Sequence, residues 1–468
     1  MNTVRRRITR REFLKRAGIV VGGGFAVTLA ACAPAQTPTP APTAPKATVP
    51  APTPTVPPTK PAAQKIKITF WHGEAVPTRV EVFQTVLDRF MKENPAIEVT
   101  QEAVPWTDAY AKDAAALQAG TAPDFRFTAG NHFMSMKELG ALQPMDDIFQ
   151  ELNQKHQISE SAAARFQFEG HVWAVPVFML VHSTLYDSCW IKKAGYGAVP
   201  QHWDELLELA KALTQGDKYA IAIPASKHLW TEQCLTDVIG ATGLKDIFDE
   251  EGQVAFYRPE VIKAYEFYVE LLKYAPPDNG NWTWAEGNLS LISGQSAMSW
   301  LFGAPFGRFP SEAPDRADCF KAAWIPWAKD GARAHASSTN CVAVYTKDPA
   351  KQEAVYTFLR YLFEPETNGY WLANMQPLLY LPVTKTARES KSFFEQPIIQ
   401  RYKETVPHML ESVDYGVELG FGYKPNPKIG PISGDLVIPQ VLQKITIDKW
   451  DIDKAVKWGH DRMIELTS

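Results

Sequence analysis

Between Lys65 and Gly140 the chain switches three times between an alternating apolar period and a helical one. That switching constrains the fold more than any other feature. Ile66, Ile68 and Phe70 share one face of an extended segment, which predicts a strand over 65–70. Val80, Phe83, Val86, Leu87 and Phe90 recur at helical spacing over 78–93, and Asn94-Pro95 stops the run. The same reading gives a strand over 97–101, a helix over 107–119 ended by Gly120, a strand over 123–128 and a helix over 133–139 ended by Gly140. Strand and helix in strict alternation predict an α/β fold with a parallel sheet covered by helices. Ligands of such sheets bind beyond the carboxyl ends of the strands. That rule nominates three loops, 71–74, 102–106 and 128–132.

Ahead of this unit lies a different kind of sequence. Thr9-Arg10-Arg11-Glu12-Phe13-Leu14-Lys15 reads as a twin-arginine export signal carried by Arg10 and Arg11. The glycine-bearing stretch 17–30 is too short to span a bilayer. It ends in Leu29-Ala30-Ala31-Cys32, a lipobox with Cys32 as the lipidation site. Residues 33–64 are almost wholly Pro, Thr and Ala, with Lys46 and Lys60 as the charges. Proline excludes helix and central strand, so this linker is an extended spacer of roughly 3 Å per residue. The expectation is a protein exported folded and lipid-anchored to the membrane on the periplasmic, cell-envelope side.

About 400 residues remain, enough for two lobes rather than one core. The net charge of −4 becomes more negative once the basic leader is set aside, which argues against a nucleic-acid partner. Cys189, Cys234, Cys319 and Cys341 follow the leader without any CxxC spacing, so no metal or cofactor is expected. Their pairing stays open among three full connectivities or free thiols. The 14 tryptophans are a surplus that suits stacking on sugar rings as well as core packing. The nominated loops add Trp71, His72, Glu74, Trp106, Asn131 and His132, a mixture of flat rings and planar polar groups that fits a hydroxyl-rich solute. No G-x-S-x-G, H-E-x-x-H or paired carboxylate motif supports an enzyme. Asp451 and Asp453 read as a helix start rather than a calcium loop.

The segments recur in a recognisable order. They run Ile68-Thr69-Phe70-Trp71, Asn94-Pro95-Ala96-Ile97-Glu98-Val99, Gln118-Ala119-Gly120-Thr121-Ala122-Pro123-Asp124 and Gly140-Ala141-Leu142-Gln143-Pro144-Met145. Trp173-Ala174-Val175-Pro176, Leu185-Tyr186-Asp187, Lys193-Ala194-Gly195, Pro200-Gln201-His202-Trp203-Asp204-Glu205-Leu206 and Ser293-Gly294-Gln295-Ser296-Ala297-Met298 follow. With this order the chain resembles the extracellular (family 1) solute-binding proteins of ABC sugar importers, the family of maltose-binding protein, in lipoprotein form.

The resemblance implies a two-lobe type II periplasmic-binding-protein fold, each lobe a mainly parallel sheet flanked by helices. It puts 65–180 with about 335–385 in an N-terminal lobe, about 181–334 with about 386–468 in a C-terminal lobe, and the hinge at 176–181. The implied function is capture of a carbohydrate in the interlobe cleft by a monomeric receptor that delivers it to transmembrane permease subunits. It places ligand groups at Trp71, His72 and Glu74, and at Asn131 and His132, where maltose-type proteins use an acidic-basic pair. Leu180 stands where those proteins carry an acid at the first crossing, with His182 close enough to substitute. In the second lobe it nominates His228 and Trp230, then Trp300 and Phe302 near the family's stacking tryptophan, with Trp282 and Trp284 as further candidates. Trp203 and Trp324 are read as packing residues, Trp203 stapling the start of the helix 204–213.

Overall fold

The computed structural model describes residues 65–468, apart from the side chains of Thr107, Tyr110, Asn131 and Ser135. Arg10, Arg11, Cys32 and the linker 33–64 lie outside the described residues.

The predicted alternation forms as read. Strand β1 (Ile66–His72) leads to helix α1 (Pro77–Glu93), β2 (Ile97–Ala103), α2 (Trp106–Ala119), β3 (Phe125–Ala129) and α3 (Gly130–Glu138). β1 pairs in parallel with both β2 and β3. Phe83, Val86, Leu87 and Phe90 of α1 are buried, and Phe70 stacks on Phe125 at 4.7 Å. Gly120 closes α2 in the left-handed region (φ 70°), where its lack of a Cβ avoids strain.

Three later strands complete the first sheet. They are β4 (Val175–Val181), β9 (His335–Val344) and β10 (Leu381–Pro382), giving the order β10-β4-β9-β3-β1-β2. The short β11 (Gly416–Val417) joins β9 at His335 and Ala336. The expected sheet was mainly parallel, but β9 runs antiparallel to both β3 and β4. The reason is topological: β4 and β9 are segments passing to and from the second sheet, not members of a strand-helix-strand crossover.

The second sheet orders β8 (Phe320–Ala323), β5 (Ser183–Asp187), β7 (Ser296–Leu301) and β6 (Tyr219–Ala222). Helices α4 (Trp203–Leu213), α5 (Leu229–Ala241), α6 (Pro259–Leu272) and α7 (Trp284–Ser293) belong with it. Trp203 lies flat on Phe267 at 4.2 Å and donates its indole N–H to Pro326, so it is a packing residue. α7 opens on a reciprocal cap between Thr283 and Glu286, which satisfies two otherwise orphaned backbone donors. Cys189 and Cys319 form a disulfide, while Cys234 and Cys341 are free and buried. Among the described residues no helix is long and apolar enough to cross a membrane.

Residues 176–181, the expected hinge segment, form the strand that leads into the crossing. They lie inside β4 of the first sheet, and the chain passes to the second sheet at His182, between β4 and β5.

Candidate functional site

Two adjoining cavities open where the sheets meet. The larger, about 300 Å³, is walled by Leu180, Trp284, Leu301, Phe302 and Leu379. The smaller, about 110 Å³, is lined by Glu232, Thr236, Ser337, Glu418, Phe421 and Ser433. Leu229, Gln233 and Ser338 line both, so the two are one cleft with an apolar end and a polar end. α5 supplies one wall and β9 the other, so each sheet contributes a side.

The crossing beside this cleft is pinned by one carboxylate. Asp237 of α5 takes His182 Nδ1 at 2.7 Å and the backbone N–H of Ala336 at 2.6 Å. The His182 backbone donates to Ala336 and its carbonyl accepts from His335 Nδ1 at 3.0 Å. Burial pushes the Asp237 carboxyl up, with His182 opposing, and pushes His335 down to about 3. The thiol of Cys234 lies near His182 and Asp237, the one described grouping outside the disulfide that could approach a metal ion. Its members are already engaged with one another, with Ala336 and with Tyr268, which makes it a structural network.

The polar end carries two acids in different circumstances. Glu418 pairs with Arg165, itself bonded to Thr339, Ser337 and Gly416. Glu232 is buried, accepts from Ser433 at 2.6 Å, and burial pushes its carboxyl up to about 7.

Of the thirteen nominated positions, Trp284 and Phe302 line the cleft. His182 and His228 stand directly behind them, His182 at 4.4 Å from the Phe302 ring and His228 edge-on to Trp284 at 4.5 Å. His228 also caps α5 by accepting from Trp230 N–H. Trp284 is fixed further by an indole bond to Gln233 at 3.0 Å.

The expectation that Trp230 and Trp300 stack on a ligand is corrected. Both are fully buried, Trp230 donates its indole N–H to the Trp300 carbonyl, and the Trp230 ring packs against Gly287. Trp282 is likewise buried in the core. His72 faces the core of the first sheet, stacked on Phe83 at 4.5 Å and bonded to Gln101, so its ligand role is corrected too.

The first-sheet candidates form their own contacts. Glu74 is held by Arg79 at 2.7 Å and by the Tyr380 hydroxyl at 2.8 Å. Trp71 is covered on one face by Lys112, and Trp106 is partly exposed over Gly73, where any Cβ would strike its ring. The loop expected at 128–132 is helical from Gly130 onward. His132 therefore turns back to Asp113 at 2.8 Å, and Asp113 also meets the buried Arg126 at 2.8 Å. The Asn131 side chain lies outside the described residues.

Sequence reasoning missed Glu232, Gln233, Ser338 and Glu418. A usable signal did exist for the first two: with Asp237 they put polar groups into a largely apolar helix, where a polar residue needs a reason.

The family model for bacterial extracellular solute-binding proteins matches residues 76–369. The putative ABC transporter periplasmic-binding protein YcjN of Escherichia coli is 22% identical over 409 residues, covering 86% of this chain and 93% of the relative. Maltotriose-binding protein of Pyrococcus abyssi is 26% identical over 207 residues, 44% of this chain and 42% of that protein. Among solved structures, the sugar-binding protein MalE from Xanthomonas citri matches with a TM-score of 0.72 at 18% identity, covering 86% of this chain and 97% of that one. A solute-binding protein from Thermotoga lettingae bound with alpha-D-tagatose matches with a TM-score of 0.67 at 22% identity, over 86% and 100%. The fold they share with this chain is the two-lobe type II periplasmic-binding-protein fold. The chain therefore belongs to the bacterial extracellular solute-binding protein family of ABC transporters, a family of exported proteins that bind a solute and are not enzymes.

Proposed function

We propose that this protein captures a carbohydrate in the cleft between its two sheets and delivers it to the permease of an ABC importer. The observation that carries the reading is the cleft itself. Trp284 and Phe302 offer apolar ring surface, while Gln233, Thr236, Ser337 and Ser338 offer neutral hydrogen-bonding groups beside it. A sugar presents the same division, C–H faces for the rings and hydroxyls for the amide and alcohols. Groups from both sheets line the cleft, so a bound solute favours the closed arrangement of the lobes over the open one. The lobes are 65–180 with about 335–385, and about 181–334 with about 386–468. The monomer is tethered by acyl chains at Cys32, and export uses Arg10 and Arg11.

Calorimetry of the purified protein against mono- and oligosaccharides is the test. Saturable, stoichiometric heat without product formation supports the reading; no heat with any sugar overturns it. Release of Cys32→Ser from the membrane fraction, with the parent retained, is the result expected for the anchor.

A further inference from the structure

The polar end of the cleft holds an acid without a counter-ion. Glu232 is 6% exposed, and its Oε1 accepts from Ser433. Its Oε2 finds no hydrogen-bond partner among the described residues. No Lys, Arg or His side chain lines either part of the cleft. The nearby cations are engaged elsewhere: Arg165 with Glu418, and Lys227 and Arg462 with Asp435. Tyr265 of α6, also close to Glu232, is a neutral phenol whose proton burial holds on firmly.

A desolvated carboxylate in this position is costly unless a positive charge meets it. A sugar hydroxyl supplies one hydrogen bond and leaves the charge buried. A protonated amine supplies both the hydrogen bond and the opposite charge. The other acid of the cleft, Glu418, is already met by Arg165, and the rest of the lining is apolar or neutral, so the charge it is built to meet is a single one at Glu232.

We propose that the solute is an amine-bearing sugar whose ammonium group sits against Glu232 while its ring rests on Trp284 and Phe302. This rests on the carbohydrate reading above. It assigns Glu232 as the residue that sets specificity. Burial raises the affinity of Glu232 for a proton, and an ammonium ligand displaces that proton.

The experiment is calorimetry with glucosamine, galactosamine, mannosamine and their disaccharides, each beside its neutral hydroxyl and N-acetyl counterpart. The parent protein and Glu232→Gln are titrated at pH 7 in two buffers of different ionisation enthalpy. The expected result is a ten- to hundred-fold preference for one amine over both counterparts, with a buffer-dependent heat showing that Glu232 gives up a proton on binding. Both the preference and the proton disappear in Glu232→Gln, whose unchanged thermal midpoint shows that it folds. Equal affinity for amine and neutral sugar, or a preference that survives in Glu232→Gln, overturns the inference and leaves the carbohydrate reading standing. Tight binding of spermidine with no heat from any sugar overturns the carbohydrate reading and the inference with it.

Discussion

Replacing Asp237 tests the crossing between the sheets. Its carboxylate accepts from two buried donors, the ring N–H of His182 and the backbone N–H of Ala336. Asp237→Ala strands both, and a buried donor without an acceptor costs about 1–3 kcal/mol, so the loss is about 2–6 kcal/mol. Asp237→Asn keeps an oxygen for Ala336 and turns its amide N–H₂ toward His182, which answers by presenting Nδ1 as an acceptor. The hydrogen then moves to His182 Nε2, which is buried with no partner among the described residues, so this variant still costs about 1–2 kcal/mol. Urea unfolding followed by tryptophan fluorescence reads both. The expected order is parent, then Asn, then Ala, with the Ala midpoint well separated from the others. An Ala variant as stable as the parent would refute the claim that this carboxylate holds the crossing together.

Three further outcomes follow from the same geometry. Trp284→Ala weakens sugar affinity by about 1–3 kcal/mol in calorimetry with little change in thermal midpoint, whereas the enclosed Trp230→Ala costs about 3–5 kcal/mol of stability in urea unfolding. Gly287→Ala drives a Cβ to 2.0 Å from the Trp230 ring and lowers the unfolding midpoint by the equivalent of about 1–3 kcal/mol; an unchanged midpoint contradicts the packing described. His335 has a folded pKa of about 3, below its unfolded value, so its contribution is complete above about pH 6.5 and is lost as pH falls toward 3. His335→Gln, which keeps a side-chain donor for the His182 carbonyl, should flatten that acid limb in urea midpoints measured from pH 7.5 down to 3.5.

The first sheet was legible because its apolar periods are clean. Ile68 and Phe70 are buried while Lys67 and Thr69 flanking Ile68 are exposed, and α1 buries four of the five residues its spacing singled out, with Val80 half-buried. The mixed strand directions were not legible, since nothing local in 335–344 says which neighbour it will meet. The site was harder still. A tryptophan reports that it needs burial, not which side will bury it. Trp230 and Trp284 look alike in sequence, yet Trp230 turns into the core against Gly287 while Trp284 faces the cleft. His132 was placed in a loop, but the helix begins at Gly130 and turns its ring toward Asp113. Glu232 escapes a search of strand ends because it projects from the first turn of α5 rather than from a loop.

The disulfide has a consequence for the timing of maturation. It joins Cys189, in the short helix that follows β5, to Cys319, the residue before the edge strand β8, across a sequence separation of 130. The cytosol keeps thiols reduced. Under the folded-export route proposed above, the protein leaves the cell interior with its second sheet already assembled and held at that edge by the β5–β8 ladder and the bonds beside it, Ser188 to the Cys319 carbonyl and Arg316 to Asp187. The covalent tie is then a seal added after delivery. The ratio of sealed to open molecules, read by thiol labelling, becomes a clock for passage across the membrane, and the ladder has to be sound enough to travel without it.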